Sequence, residues 1–336
     1  MSHDLTGKVV ITPPIRANRQ IRRSRRWLPS AVLAGALGVA APLTMMTTSA
    51  GAAGPLPTVG YTLVTSQGGT FNFGAAPADG GPLGVADAAT VGIAPTPDGN
   101  GYWVATANGG VFTFGDAQFY GSAGSLKLSA PIVGIVATAD GKGYYLVSSN
   151  GGVFTFGDAA FYGSLGGITL AGPIVGISMT SDGKGFYLVC SYGGVFTFGD
   201  AVFAGTLEST FGGPSPDGPA IGIAADPVGP GYLIATAEGA VVAYGGAPFY
   251  GSPVLSGVTP VEPVVGIAYT ADGTGYYLAA ADGGIFNFNA TKTVGTGTSA
   301  TTATTGTANF YGSVPQVIGT SGIAVPATVV GIALTH

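Results

Sequence analysis

The hexapeptide Gly109-Gly110-Val111-Phe112-Thr113-Phe114 recurs along the chain at a nearly constant interval, and that interval restricts the fold more than any other feature. Identical copies stand at Gly151–Phe156 and Gly193–Phe198, with looser ones at Gly68–Phe73, Gly239–Tyr244 and Gly283–Phe288. Successive copies begin 41, 42, 42, 46 and 44 residues apart. A full unit holds four short apolar runs; in one unit they are Val133–Thr138, Tyr144–Ser149, Val153–Phe156 and Phe161–Leu165. Asp-Gly pairs at 98, 140, 182 and 272 separate the first run from the second. Such pairs supply the positive φ angles of tight hairpins, so the runs read as antiparallel strands. Four strands in about 42 residues is the period of a propeller blade. A β-solenoid has shorter coils, and 60 glycines oppose helical repeats.

The phase of the repeats extends the argument. The series opens on a second-strand copy, Tyr61–Thr65, and finishes on a first-strand copy, Val330–Leu334. Each strand type then occurs six times, with the fourth degenerate at Pro82–Val85. Complementary fragments at the two ends suit a ring whose last strand completes its first blade and removes exposed edges. The expected fold is therefore an all-β, six-bladed propeller of four-stranded blades over residues 60–336, closed by the C-terminal strand. A Thr/Gly-rich insertion at 289–309 interrupts the sixth unit. It reads either as a flexible surface loop or as a Thr-rich stretch carrying sugars.

The first fifty residues are of a different kind. Arg22, Arg23, Arg25 and Arg26 precede an apolar stretch from Ala31 to about Met46 and the small residues Ser49–Ala53. That order is expected of a secretory signal at 1–50, cleaved after Ala50 or Ala52, with a short linker at 51–59. Pro29 spoils a twin-arginine match, which favours the general secretory route. The apolar core is short for a membrane span and contains Pro42, so removal is expected rather than anchoring. The expected location is the cell envelope or the extracellular space, with no stable membrane insertion after cleavage.

Charge and composition restrict the chemistry. Beyond residue 50 there are four lysines, no arginine and 15 Asp and Glu, a formal charge of 4 − 15 = −11. Such a surface repels nucleic acid and anionic lipid. The two histidines, His3 and His336, lie at the extremities, so Ser-His-Asp and Cys-His machinery has no imidazole to use. The one cysteine, Cys190, cannot form an internal disulfide, and it stands where other units have Thr, Ser or Ala, as a small buried side chain would. No metal or cofactor site is expected. The repeated aspartates 98, 140, 182 and 272, and 116, 158 and 200, read as turn chemistry rather than a calcium ring.

The run Gly-Gly-Val-Phe-Thr-Phe-Gly-Asp-Ala-x-Phe-Tyr-Gly-Ser, preceded by Asp-Gly-Lys-Gly-Tyr-Tyr-Leu-Val, resembles repeats of secreted actinobacterial β-propeller proteins. The likeness covers about residues 60–336 and is sharpest at Gly109–Ser122, Gly151–Ser164 and Gly193–Asp200. It implies export and a propeller, and it carries no catalytic residues.

Variation between units concentrates in the connections from one unit to the next, such as Leu207–Ala220 and Pro253–Pro263. In a propeller these share a rim with the turns between second and third strands. Loops on a rigid scaffold are where binding concentrates. The candidate ligand-binding residues on that rim are Asn108, Asn150, Tyr192, Glu208, Asp217, Glu238, Glu262 and Asp282. The favoured reading is a non-enzymatic binding or scaffold protein that recognises cell-wall polysaccharide or another exported protein. The alternatives are a carboxylate-dependent polysaccharide hydrolase or lyase using residues such as Glu208, Asp217 and Glu262, and a structural surface protein without ligand.

Overall fold

The structure, a computed structural model, describes residues 59–289, 292–296, 313 and 328–335. The signal at 1–50, nearly all of the linker, the fourth run of the sixth unit except Ser313, and most of the 289–309 insertion lie outside the described residues. The repeats form six antiparallel sheets. Blade 1 contains β1 (Gly60–Thr65) and β2 (Thr70–Gly74). Blade 2 is β3 (Thr90–Pro95), β4 (Gly101–Thr106) and β5 (Val111–Gly115), and blade 3 is β6 (Ile132–Ala137), β7 (Gly143–Ser148) and β8 (Val153–Gly157). Blade 4 is β9 (Ile174–Met179), β10 (Gly185–Cys190) and β11 (Val195–Gly199), followed by the short helix α1 (Leu207–Phe211). Blade 5 is β12 (Ala220–Ala225), β13 (Tyr232–Thr236) and β14 (Val241–Tyr244). Blade 6 is β15 (Val264–Tyr269), β16 (Gly275–Ala280), β17 (Ile285–Asn289) and β18 (Lys292–Thr296). The last strand, β19 (Val329–Thr335), pairs antiparallel with β1 from Thr335↔Gly60 to Val329↔Thr65. The clasp expected from the phase of the repeats is therefore present, and the sheets remain six separate ones.

The first strands meet one another at glycine. A Cβ on Gly92 would meet Ile135 and Gly134 at 3.5–3.6 Å, and one on Gly134 would meet Ile177 at 3.3 Å. Gly176 faces Gly222 and Ile223, Gly222 faces Ile267, Gly266 faces Ile332, and Gly331 faces Ile93 and Gly92, closing the circuit. At Gly134, Gly176, Gly266 and Gly331 an added Cβ would stand 3.1–3.3 Å from the neighbouring strand, tighter than ordinary contact, whereas at Gly92 and Gly222 it would stand at 3.5 Å. Just before each glycine the register slips by one residue, at Val91, Val133, Val175, Ile221, Val265 and Val330. A bulge of this kind bends the strand and sharpens its twist.

A second circuit is made of backbone hydrogen bonds. Ala107 donates to Ala89 O in its own blade (2.8 Å) and accepts from Ile132 N of the next (2.9 Å). Ser149, Ser191, Ala237, Ala281 and Ser66 do the same in turn, and Ser66 reaches Thr328 O and Thr90 N across the junction of chain ends.

Blades have three strands, where the sequence reading expected four. The runs led by Phe119, Phe161, Phe203 and Phe249 lie beside the third strands without joining them. The reason is the glycine two residues on: Gly121, Gly163, Gly205 and Gly251 have φ of 127°, 134°, 145° and 125°. Onto each lies a ring from the following blade, Phe156, Phe198, Tyr244 or Phe288, at 2.6–3.0 Å from where a Cβ would stand. The carbonyls of Gly121, Gly205 and Gly251 accept from the hydroxyls of Tyr144, Tyr232 and Tyr276 in that blade. Backbone groups used this way leave the ladder. Blade 6 alone among the described residues has a fourth strand, and it comes from the insertion: Lys292–Thr296 pairs with β17 at Asn289↔Lys292 and Phe286↔Thr296. That part of the insertion is a strand, not a loop.

The second strands are buried along their whole length in every blade. Their aromatics fill the spaces between sheets: Tyr144 lies 5.6 Å from Trp103 of the preceding blade and 5.5 Å from Phe156 of its own. Cys190 is buried and free. Two outcomes test these constraints. Gly176→Val is expected to cost about 2–3 kcal/mol by overpacking, whereas Gly213→Ala, in open space, changes stability by less than about 0.5 kcal/mol; urea denaturation measures both. Deleting 329–336 leaves β1 without its inner partner, and the cooperative unfolding transition followed by circular dichroism should be lost.

Candidate functional site

The connections between blades and the turns between second and third strands share one rim, tied together by hydrogen bonds such as Ala123 N to Gly109 O, Leu165 N to Gly151 O and Leu207 N to Gly193 O. The candidate residues on that rim fall into three groups.

Asn108, Asn150 and Asp282 are committed to their own turns. Asn108 Oδ1 accepts from Thr106 Oγ1 (2.7 Å) and Gly110 N (3.2 Å), and its Nδ2 donates to Asp87 Oδ1 (2.8 Å). Asn150 accepts from Ser148 Oγ and Gly152 N and donates to Ser129 Oγ (3.0 Å). Asp282 Oδ1 accepts from Gly284 N at 2.9 Å. These side chains close turns, and the two asparagines also fasten the preceding connection, so they have little left to offer a ligand.

Tyr192 takes the place of that asparagine in blade 4. Its ring lies across Gly172, where a Cβ would stand only 2.5 Å away, and is 53% exposed. With Leu207, Pro214, Ser215 and Pro219 it lines a cleft of about 370 Å³. Glu208 is exposed in the first turn of α1, which begins at the capping pair Thr206 and Ser209 and ends on Gly212 with φ 70°.

Asp217, Glu238 and Glu262 come together. Far apart in sequence, they line one cleft of about 440 Å³ between the connections that enter blades 5 and 6, walled by Val254, Val258, Pro260 and Pro263. Glu238 and Glu262 are exposed and Asp217 is half-buried. No lysine lines this cleft. Among the described residues no group of three or more His, Cys, Asp or Glu is placed to hold a metal ion.

On the inner strands the glycines meet the isoleucine or the backbone of the next strand, and the residues alongside are Val91, Val133, Val175, Ile221, Val265 and Val330.

The opposite rim holds the repeated aspartates. Asp98 Oδ1 accepts from Thr96 Oγ1 (2.7 Å) and Asn100 N (3.2 Å), and these bonds hold its carboxyl down at about 2. Asp140 is likewise lowered to about 2, by the backbone N–H of Lys142 and then its ammonium at 3.1 Å. Asp116 moves the other way, raised by desolvation and by its hydrogen bond to Asp98. Lys142 and Lys184 are both spent on this rim, paired with Asp140 and Asp182.

Among the described residues no helix is long and apolar enough to cross a membrane. No family model matches the chain, and no curated protein matches it either. Among solved structures, a chain from the crystal structure of a nidogen/laminin complex is similar, with a TM-score of 0.54 and 10% identity, covering 83% of this chain and 98% of that one. At that identity the likeness speaks for the fold alone and supports the propeller architecture.

The aspartate shifts give a pH dependence. A carboxyl lowered from 3.8 to about 2 stabilises the fold above about pH 4 and loses that contribution as pH falls towards 2. Asp116, being raised, acts in the opposite sense, so blade 2 partly cancels and blade 3 shows the effect more cleanly. Melting temperatures between about pH 5 and pH 2.5 should fall less steeply in Asp140→Asn than in the parent protein.

Proposed function

We propose that this protein is an exported, non-enzymatic recognition scaffold of the cell envelope, and that the cleft formed by Asp217, Glu238 and Glu262 receives an extended, basic segment of another exported protein. The observation that supports this reading is the convergence of three carboxylates, two from connections between blades and one from a turn within blade 5, on one apolar-walled cleft. Proline and valine walls suit the stems of lysine or arginine, whose charged ends then meet the carboxylates at the mouth. The charge of −11 beyond residue 50 draws such a partner from a distance. The basic and apolar N-terminus and the resemblance to secreted actinobacterial repeats support export.

The same convergence favours one other reading, hydrolysis of a polysaccharide by a carboxylate pair. A general acid of that kind needs a carboxyl kept protonated by burial or by a like charge. Glu238 and Glu262 are exposed, which favours binding over catalysis.

Fluorescence anisotropy with a labelled peptide of alternating lysine and proline tests the proposal. The triple variant Asp217→Asn/Glu238→Gln/Glu262→Gln should bind at least about tenfold more weakly, and the parent's affinity should fall as salt rises from about 50 to 500 mM. Equal binding by both proteins overturns the reading. Release of reducing sugar from wall polysaccharide, abolished in Glu238→Gln, would establish the hydrolase instead.

A further inference from the structure

The rim opposite that cleft carries a feature the fold does not require. Phe119, Phe161, Phe203 and Phe249 occupy equivalent places just beyond the third strands of blades 2 to 5, and their side chains are 59%, 63%, 57% and 42% exposed. The residues around them have evident structural work. Ala117, Ala159, Ala201 and Ala247 lie inward against the blade cores. Tyr120, Tyr162 and Tyr250 pack on Tyr144, Phe186 and Tyr276 of the following blade. The glycine after each tyrosine position receives a ring from that blade.

The position before the phenylalanine shows what happens on this rim when nothing constrains a side chain. It is Gln118, Ala160, Val202 and Pro248 in the four blades, four different residues. The next position is phenylalanine in all four of these blades, although their units differ in length and the ring is turned to water, and in blade 1 it is Ala78. Mere inheritance from a duplicated unit would have let both positions drift alike. An exposed phenylalanine contributes little to stability and works against solubility, so its repetition points to a ligand.

We infer that these four phenylalanines are equivalent sugar-stacking positions, one per blade, that together bind a neutral polysaccharide chain. Three observations favour that occupant. A set of identical sites at regular intervals fits a partner that itself repeats, as a glycan does. Each ring of blades 2 to 4 follows a carboxylate by three residues, Asp116, Asp158 or Asp200, so the apolar face of a sugar can lie on the ring while its hydroxyls donate to the acid. In blade 2 the carboxylate Asp116 borders a groove of about 260 Å³ that Asp98, Trp103, Gln118 and Asp140 also line, next in sequence to Phe119. The carboxylates also set the charge of the ligand. They repel an acidic polymer, and they oppose insertion of the rings into a lipid surface, where desolvating so many acids is costly.

Sedimentation of the purified protein with cellulose, chitin and an insoluble α-glucan tests the inference. The protein should be retained by at least one of them. Single Phe→Ala changes should weaken retention by a few fold, and the quadruple variant by at least about a hundredfold, as expected when linked sites act together. The quadruple Phe→Trp variant should bind as well as the parent, which separates stacking from a change in fold. Because the rings are exposed, melting temperatures should stay within about 2 °C of the parent. The Asp217/Glu238/Glu262 variant should bind these polymers normally, so failure here and failure of the peptide cleft are distinguishable. Undiminished retention of the quadruple Phe→Ala variant, or no retention on any of the three polymers, overturns the inference.

Discussion

Everything else in this molecule depends on how closely the six first strands approach one another. At Gly134, Gly176, Gly266 and Gly331 an added side chain would force the next strand to give way, and at Gly92 and Gly222 it would just touch that strand. That approach brings the second-to-third-strand turns within reach of the next blade, and the backbone circuit through Ser66, Ala107, Ser149, Ser191, Ala237 and Ala281 becomes possible. Each of these residues serves two blades, so no blade is an independent unit. The clasp of β19 on β1 belongs to both circuits, because Gly331 and Thr328 supply their closing contacts.

Outside the inner strands the blades are held by aromatic side chains. The first aromatic of a second strand reaches the preceding blade, as in Tyr144 to Gly121 O and Tyr232 to Gly205 O. The second aromatic serves its own blade in Trp103 Nε1 to Gln118 O (2.7 Å) and Tyr145 to Ala160 O (2.9 Å), while Tyr187 of blade 4 donates to Pro230 O of the next blade (3.1 Å). The bonds of Tyr144, Tyr232, Trp103 and Tyr145 all end on the backbone just beyond a third strand. This segment is therefore fastened by side chains where a fourth strand would be fastened by a ladder, and it places Phe119 and its counterparts on the surface. The polar ends of the tyrosines are satisfied in place, which is the condition for burying so many of them.

The two rims differ in chemistry for a reason rooted in the repeat. On one, Asp-Gly turns in blades 2, 3, 4 and 6 and Gly-Asp exits in blades 2 to 4 make a surface that repeats itself over much of the ring. On the other, connections of unequal length create unequal clefts, and Asp217, Glu238 and Glu262 meet in one of them. A periodic ligand suits the first surface and a unique partner suits the second. On this reading the protein is a bridge between a polymer and another protein of the envelope.

Six units, their antiparallel turns and the closing clasp were legible in the sequence, because duplication repeats a hydrophobic pattern and a broken phase at the two ends has a simple geometric meaning. The turn role of the Asp-Gly aspartates was legible for the same reason, since the residue types carry their own local hydrogen bonds. The absence of a fourth strand was not. Phe-Tyr-Gly-Ser has the composition of a strand, and only the ring of the next blade, lying on Gly121 or Gly163, makes the extended ladder impossible. Likewise Asn108 and Asp217 were equal candidates on the page. The first proved to be bound to Thr106 and Asp87, and the second to share a cleft with residues 21 and 45 positions away. Local pattern is enough to specify strands and turns, whose bonds are made between near neighbours. Which side chains are left free, and which of them meet, is decided by contacts between blades, and those exist only once the ring has closed.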